Sequence, residues 1–340
     1  MIGTALPTLP RSLRASRPAA RRGVRRDHVR LLVVDRSAGR ILHTRFDRLP
    51  ELLGPGDLLV VNTSRVLPAA VAAVRASGDP VQLRPCVRRG REWDALAVQV
   101  APPHANVPLE PGETLHVGEA ALRVRGRRPD IPLLWRLELD SPADLELILR
   151  HGEPIRYSYV PEPVPLAAYQ PVYASHPGSA ESPSAGLPFS WELLRSVRER
   201  GADLADLVLH TGLSSYQDDD FDLEHHLYEE FFDLGEAAAA AVNRAGRVIA
   251  VGTTVVRALE TAAGEDGRVR PASGWTRLQI GPESRLRVVD ALLTGMHEPE
   301  ASHFDLLRAF LPEPLLDRAY REAIAADYLW HEFGDAALIL

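Results

Sequence analysis

Four polar tips at the ends of apolar runs carry the residue types for chemistry. Arg247-Val248-Ile249-Ala250-Val251 reads as a buried strand, and Gly252-Thr253-Thr254 then turns the chain into a helix whose apolar Val255, Val256 and Leu259 share a face. With Thr253 or Thr254 as the cap, this turn presents free N–H groups and the positive end of a helix dipole, which suit a carboxylate or phosphate. Arg257, one turn in, would add a bidentate donor. An ordinary β-α connection whose threonines only cap a helix fits the same residues. The other tips are His210-Thr211-Gly212, Thr294-Gly295-Met296-His297, and Asn62 with Arg65, each after an apolar run. In α/β architectures the carboxyl ends of strands share one face, so the four tips are expected to converge on one pocket. Taken singly, His210 also fits a hydrogen-bonded core histidine and His297 a loop histidine.

The elements that must position these tips follow from the pattern. Residues 31–36 and 41–46 read as a hairpin, 50–53 as a short helical turn, and 58–62 as a buried strand. From 69 to 140 the texture changes to short strand-like runs at 69–75, 81–87, 93–100, 114–117, 121–125 and 132–139, punctuated by glycine and proline. That rhythm predicts a small antiparallel barrel or sandwich. It is taken as an inserted domain, residues 67–150, because strand-helix alternation returns after the helical 141–150. The host domain is then discontinuous, 1–66 and 151–340. Residues 160–190 are rich in proline and serine but carry Tyr169, Tyr173 and Phe189, which predicts an ordered, irregular wall. Ser190 caps a helix to Arg200, 206–210 is a strand, Asp233 with Glu236 forms a capping box for the alanine-rich helix to Arg244, 285–291 is a strand, and the tail from Ala301 is mostly helical.

Composition removes several classes of function. The 340-residue chain is 45% hydrophobic, enough for two domain cores, with a formal net charge of -7. All 39 basic residues are arginines, so a phosphate-loop lysine, a Schiff base and a lysine nucleophile are excluded. One cysteine, Cys86, excludes an internal disulfide or a multi-cysteine metal cluster. No membrane-length apolar run and no secretory signal is visible, and a cytoplasmic protein is expected. Arg11, Arg14, Arg17, Arg21, Arg22, Arg25, Arg26 and Arg30 form a basic arm that either grips an RNA backbone or is simply solvated. His225, His226, Glu229 and Glu230, and the acidic run 218–222, match no metal-ligand pattern. Neither a Gly-x-Gly-x-x-Gly fingerprint nor a Gly-x-Ser-x-Gly elbow occurs.

Taken together, the motifs resemble the S-adenosylmethionine:tRNA ribosyltransferase-isomerases of queuosine biosynthesis. The likeness includes Pro55-Gly56-Asp57-Leu58-Leu59-Val60, Asn62 with Arg65-Val66, Tyr169-Gln170 with Val172-Tyr173-Ala174, and Pro183-Ser184-Ala185-Gly186-Leu187 with Phe189. It continues through Leu209-His210 with Gly212, His225 and Glu230, Val251-Gly252-Thr253-Thr254 with Arg257, Val289-Asp290 with Thr294, His297 with Pro299, and Gly334-Asp335-Ala336. The resemblance implies a large α/β domain of barrel-like character interrupted by a small antiparallel β-barrel. It also implies that S-adenosylmethionine is a ribosyl donor: adenine and methionine leave, and the rearranged ribose joins the aminomethyl group of a 7-deazaguanine in a tRNA anticodon. No metal or further cofactor is implied; the oligomeric state is open, with a monomer as the working expectation.

A sulfonium acidifies its neighbouring C5′ protons, and departing adenine needs a proton, so neutral histidine near a carboxylate suits both steps. The resemblance therefore nominates His297, His210 and Glu230 as catalytic. Gly252, Thr253, Thr254 and Arg257 would hold the methionine carboxylate, and Tyr169, Tyr173 or Phe189 would stack on a base. Ser184, Ala185, Gly186, Gln170, Asn62 and Arg65 complete the binding list. Departures from the family pattern fall in the same motifs. Pro188 stands for a histidine, Ser190 for a threonine and Tyr228 for a second histidine, while Gly212-Leu213-Ser214-Ser215-Tyr216 replaces Gly-Ala-Gly-Thr-Phe. Gly295-Met296-His297-Glu298-Pro299 replaces Asn-Phe-His-Leu-Pro. Three readings follow: a ribosyltransferase-isomerase, a paralogue using the same donor with another acceptor or outcome, and a non-catalytic nucleoside or RNA binder.

Overall fold

The computed structural model describes residues 9–102, 104–213, 228–298 and 302–340. In chain order the first strands are β1 (Arg30–Asp35), β2 (Arg40–Arg45), β3 (Asp57–Asn62) and β4 (Ser64–Val66). The barrel strands follow: β5 (Ala70–Arg75), β6 (Pro80–Arg89), β7 (Glu92–Val98), β8 (Thr114–Val117), β9 (Ala120–Arg127) and β10 (Trp135–Leu139). Helix α1 (Asp144–His151) and β11 (Gly152–Glu153) lead back to β12 (His176–Ser179), α2 (Trp191–Glu199), β13 (Asp203–Leu209), β14 (Glu230–Leu234) and α3 (Glu236–Val242). The remainder is β15 (Arg247–Val251), α4 (Thr253–Ala262), β16 (Ala272–Thr276), β17 (Ala291–Gly295), α5 (Ser302–Arg308), α6 (Glu313–Ala325) and β18 (Ala336–Ile339).

A nine-stranded mixed sheet has the order β16-β14-β13-β3-β15-β17-β18-β1-β2. Its central strands are covered on both sides, which is why they read as continuous apolar runs. In β3, Leu58 and Val60 join one core cluster with Val255, Val256 and Leu259 of α4, whereas Leu59 and Val61 join another with Leu193, Leu194 and Val197 of α2. Strands β5-β6-β7-β10-β9-β8 pair antiparallel in that order, and β5 also pairs with β8, closing a six-stranded barrel around Leu83, Trp93 and Leu115. The expected large α/β domain with a small inserted antiparallel barrel is thus observed, the part for which the resemblance implies barrel-like character being built on this nine-stranded mixed sheet.

Several local expectations need correction. Gly252, not a threonine, is the N-cap of α4: its φ of 97° suits only glycine, and its carbonyl accepts from Val255 N at 3.1 Å. Gly235 rather than Asp233 caps α3, because Asp233 is still in β14. Residues 285–290 are not a strand. The Glu260 carboxylate accepts the backbone N–H groups of Arg287, Val288 and Val289 at 2.9–3.0 Å, so a side chain takes the donors that a sheet would need, and β17 starts only at Ala291. The helical turn expected at 50–53 instead spans Phe46–Leu52 as a 3-10 helix. Ser190 does cap α2, accepting from Leu193 N at 3.1 Å.

Candidate active site at the carboxyl edge of the large sheet

Strands β13, β3, β15 and β17 are adjacent and mutually parallel, so their carboxyl ends lie side by side along one sheet edge. That edge brings together His210 after β13, Asn62 at the end of β3, Gly252-Thr253-Thr254 after β15, and Thr294, Gly295 and His297 at the end of β17. Asn62 stitches two tips: its amide accepts from Leu209 N and donates to Leu209 O at 3.0 and 2.9 Å, and it reaches Thr254 Oγ1 at 3.4 Å. Gly252 N donates to Leu293 O at 2.8 Å and so ties β15 to β17. The turn Ser184–Gly186 lies across the same edge. A Cβ on Gly252 would stand 3.5 Å from Ala185 Cβ, and one on Gly295 3.8 Å from Ser184 Oγ.

The two histidines have different surroundings. His297 Nε2 is 2.7 Å from Oγ1 of the buried Thr294, which fixes the ring beside the end of β17. The following Glu298 pairs with His331 at 3.0 Å and Arg14 at 3.1 Å, and these contacts, His331 first, hold its carboxyl below the usual range. His210 is drawn down to about 4 by burial, with Arg88 and His176 acting in the same direction, so it is neutral at physiological pH. The barrel abuts this end of the edge. A Cβ on Gly212 would lie 2.7 Å from the Cys86 carbonyl of β6 and 2.2 Å from the Tyr228 ring.

Other residues expected at the site are occupied elsewhere. Glu230 and Arg257 meet each other in a buried ion pair, Glu230 also accepting from Gly212 N at 3.2 Å and Arg257 Nε donating to Leu278 O at 2.9 Å. Arg257 thus points toward β14, away from the start of its own helix. Gln170 matches its amide to the backbone of Val66 at 2.9 and 3.0 Å, extending β4 in place of a strand neighbour. Tyr169 packs on Phe333, and the fully buried Phe189 lies edge-on between Phe46 and Tyr173. The Tyr173 hydroxyl stands over Gly186, where a Cβ would approach it to 2.2 Å. Burial of these tyrosines raises both phenols. Arg65 is exposed beside this edge and has no partner among the described residues.

The basic arm is neither free nor merely solvated. Arg14 pairs with Glu298, Arg17 with Glu162, Arg25 with Asp27 and Arg30 with Asp335, while Arg21, Arg22 and Arg26 donate to the carbonyls of Pro163, Phe333 and Gln170. The arm is a belt fastened over the α/β domain. Glu229 is held by Arg89, Arg128 and Arg277. His225, His226 and the acidic run 218–222 lie outside the described residues, as do Ser214, Ser215, Tyr216 and Pro299. Among the described residues no group of three or more His, Cys, Asp or Glu is placed to hold a metal, and no helix is long and apolar enough to cross a membrane.

Residues that sequence reasoning missed here are Ser64, Ser179 and Gly178, all contacting His210 or the hydroxyl that holds it. Ser64 lies inside the polar tip after β3, where the family's Asn-Asp-Thr-Arg reads Asn62-Thr63-Ser64-Arg65, a departure that gave no sign of a contact with His210. Gly178-Ser179 is concealed in the proline- and serine-rich wall, where only a glycine before a buried serine hinted at close packing.

The chain is similar to known proteins along almost its whole length. The family model described as "Queuosine biosynthesis protein" matches residues 8–339. An S-adenosylmethionine:tRNA ribosyltransferase-isomerase of Thermus thermophilus is 40% identical over 325 residues, 93% of each chain. One of Rubrobacter xylanophilus is 39% identical over 342 residues, 98% of this chain and 95% of the relative. The crystal structure of S-adenosylmethionine tRNA ribosyltransferase from Thermotoga maritima superposes with a TM-score of 0.54 at 29% identity, covering 98% of this chain and 99% of that one.

Proposed function

Since the chain belongs to the queuosine biosynthesis protein family, we propose that it is an S-adenosylmethionine:tRNA ribosyltransferase-isomerase, with S-adenosylmethionine as substrate and no other cofactor. The observation that carries the reading is the single edge shared by the β13, β3, β15 and β17 tips, with one histidine at each end of the four. The N–H groups of Thr253 and Thr254 at the start of α4 would receive the methionine carboxylate, without help from Arg257. His297, oriented by Thr294, is the group for proton movement at the acidified C5′ position. As adenine and methionine leave, the rearranged ribose is taken by the aminomethyl nitrogen of the deazaguanine, and Arg65 is available to an RNA phosphate.

Three departures from the family pattern, Tyr228, Met296 and Glu298, are taken up by packing or pairing and leave this chemistry its residues. Tyr228 is buried with the barrel core, its hydroxyl donating to Leu213 O, and Met296 is buried with Leu292. Glu298 is neutralised by Arg14 and His331, and His297 keeps its bond to Thr294. The test is incubation with S-adenosylmethionine, with and without an anticodon stem-loop bearing the aminomethyl deazaguanine, followed by mass analysis. Adenine release that requires the stem-loop, with a mass gain on the RNA, is expected. Donor breakdown indifferent to the stem-loop would favour the paralogue reading, and donor binding without turnover the non-catalytic one.

A further inference from the structure

His210 is restrained on three sides. A Cβ on Gly178 would fall 2.3 Å from its ring, so the imidazole rests on bare backbone, and the Phe231 ring lies near-parallel to it at 5.9 Å between centroids and 25°. Its Nδ1 is 2.8 Å from Ser64 Oγ, which is 2.6 Å from Ser179 Oγ, and Thr211 N donates to Ser179 Oγ at 3.0 Å. Both serines are fully buried.

The proton directions in this chain follow from counting donors. Each hydroxyl has one hydrogen. If Nδ1–H donated to Ser64 and Ser64 to Ser179, Ser179 would accept twice while its own hydrogen found no acceptor among the described residues, a costly buried state. In the opposite direction Ser179 donates to Ser64, Ser64 donates to Nδ1, and every hydrogen is used. The ring proton is then on Nε2, which has no partner among the described residues.

We infer that Ser64 and Ser179 are positioning residues that hold His210 as the neutral Nε2–H tautomer, making it a hydrogen-bond donor to the bound nucleoside and not a proton acceptor. Arg88 and His176, which face the ring, act in the same direction as burial and disfavour the imidazolium. A fixed neutral donor suits an oxygen or nitrogen of the donor nucleoside on which electron density builds as a bond breaks. The identity of that nucleoside rests on the proposed function, whereas the tautomer does not.

Imidazole-15N labelling of the full chain, with His210 assigned by loss of its signals in His210→Asn, reads the tautomer directly without substrate. The expected pattern is Nε2–H with Nδ1 unprotonated, unchanged from about pH 8 to pH 5. Ser64→Ala is expected to give a mixture of tautomers and to lower kcat about tenfold, with KM for S-adenosylmethionine changed less than about twofold. An Nδ1–H pattern or an imidazolium at pH 7 in the unmodified protein overturns the inference, as does an unchanged tautomer in folded Ser64→Ala. Should Ser64→Ala not fold, the unmodified protein's spectrum decides. A negative stem-loop assay with the expected spectrum would remove the proposed acceptor and leave the tautomer standing.

Discussion

The guanidinium of Arg257 turns away from the first turn of α4 and closes on the carboxylate of Glu230 at the start of β14, both side chains being at most 10% exposed. Two residues that invite separate roles are one structural unit.

Removing one partner leaves the other buried and charged, and the expected loss is about 3–5 kcal/mol for Glu230→Ala or Arg257→Ala. Replacing both by apolar side chains of similar volume, Glu230→Leu with Arg257→Met, is expected to recover most of it. Urea unfolding of the three variants is the measurement. Single variants as stable as the parent would show that the pair contributes nothing to folding.

What was legible in the chain follows from where its forces are local. The strands β1, β3 and β15 announce themselves because burial on both faces demands unbroken apolar runs, and the barrel shows through the even spacing of its turns. Shared placement of the tips was legible because parallel strands align their ends. Their side-chain partners were not. Glu260 takes three backbone donors from a segment 27 to 29 residues away, Gln170 pairs with Val66 across 104 residues, and Glu230 finds Arg257 across 27, none of which leaves a periodic trace. Strands β14 and β16 escaped for a related reason. Glu-Phe-Phe-Asp-Leu and Ala-Ser-Gly-Trp-Thr are weak strand sequences made regular by pairing with each other, Phe231 opposite Trp275.

Glycines near the site should separate by what lies beyond their missing side chains. Gly178→Ala places a methyl group 2.3 Å from the His210 ring, so about 1–3 kcal/mol of destabilisation and a loss of donor turnover are expected. Gly274→Ala, with nothing within 4 Å of the added carbon, should leave stability unchanged or raise it by up to about 1 kcal/mol. Thermal unfolding and adenine release measured on both variants check the contrast; equal effects would mean that the ring moves aside at no cost.

Glu298 couples the β17 tip to pH. Its carboxyl is depressed in the folded protein by its close contact with His331 and by Arg14, so the folded state holds fewer protons there than the unfolded chain. The resulting stability is present above the unfolded carboxyl value of about 4.3 and is lost as pH falls through the lower folded value. In Glu298→Gln that contribution is absent. The difference in unfolding free energy between parent and variant should therefore shrink as pH falls below about pH 4.5. A difference independent of pH down to about pH 3 would show that the ion pairs do not favour the carboxylate.

Glu229 and Glu230 are neighbours whose carboxylates serve opposite sides. Glu230 faces α4, while Glu229 receives Arg128 and Arg89 from the barrel and Arg277 from beyond β16. Arg128 is only 5% exposed and also contacts Asp94 at 3.0 Å and Asp130 at 2.8 Å; burial works against its charge, yet these carboxylates keep its pKa raised. The network borders a 420 Å³ hollow and is where barrel and large sheet are fastened. Glu229→Ala removes the acceptor shared by three arginines without touching either hydrophobic core, so it should loosen docking more than it melts a domain. Amide hydrogen exchange is expected to quicken at residues 128–134 and 273–277, with the interior of β7 still protected. In urea the single transition should broaden or divide as the barrel gains independence. Uniformly faster exchange across both sheets would instead mean that the network supports global stability and does not govern how the two parts are held together.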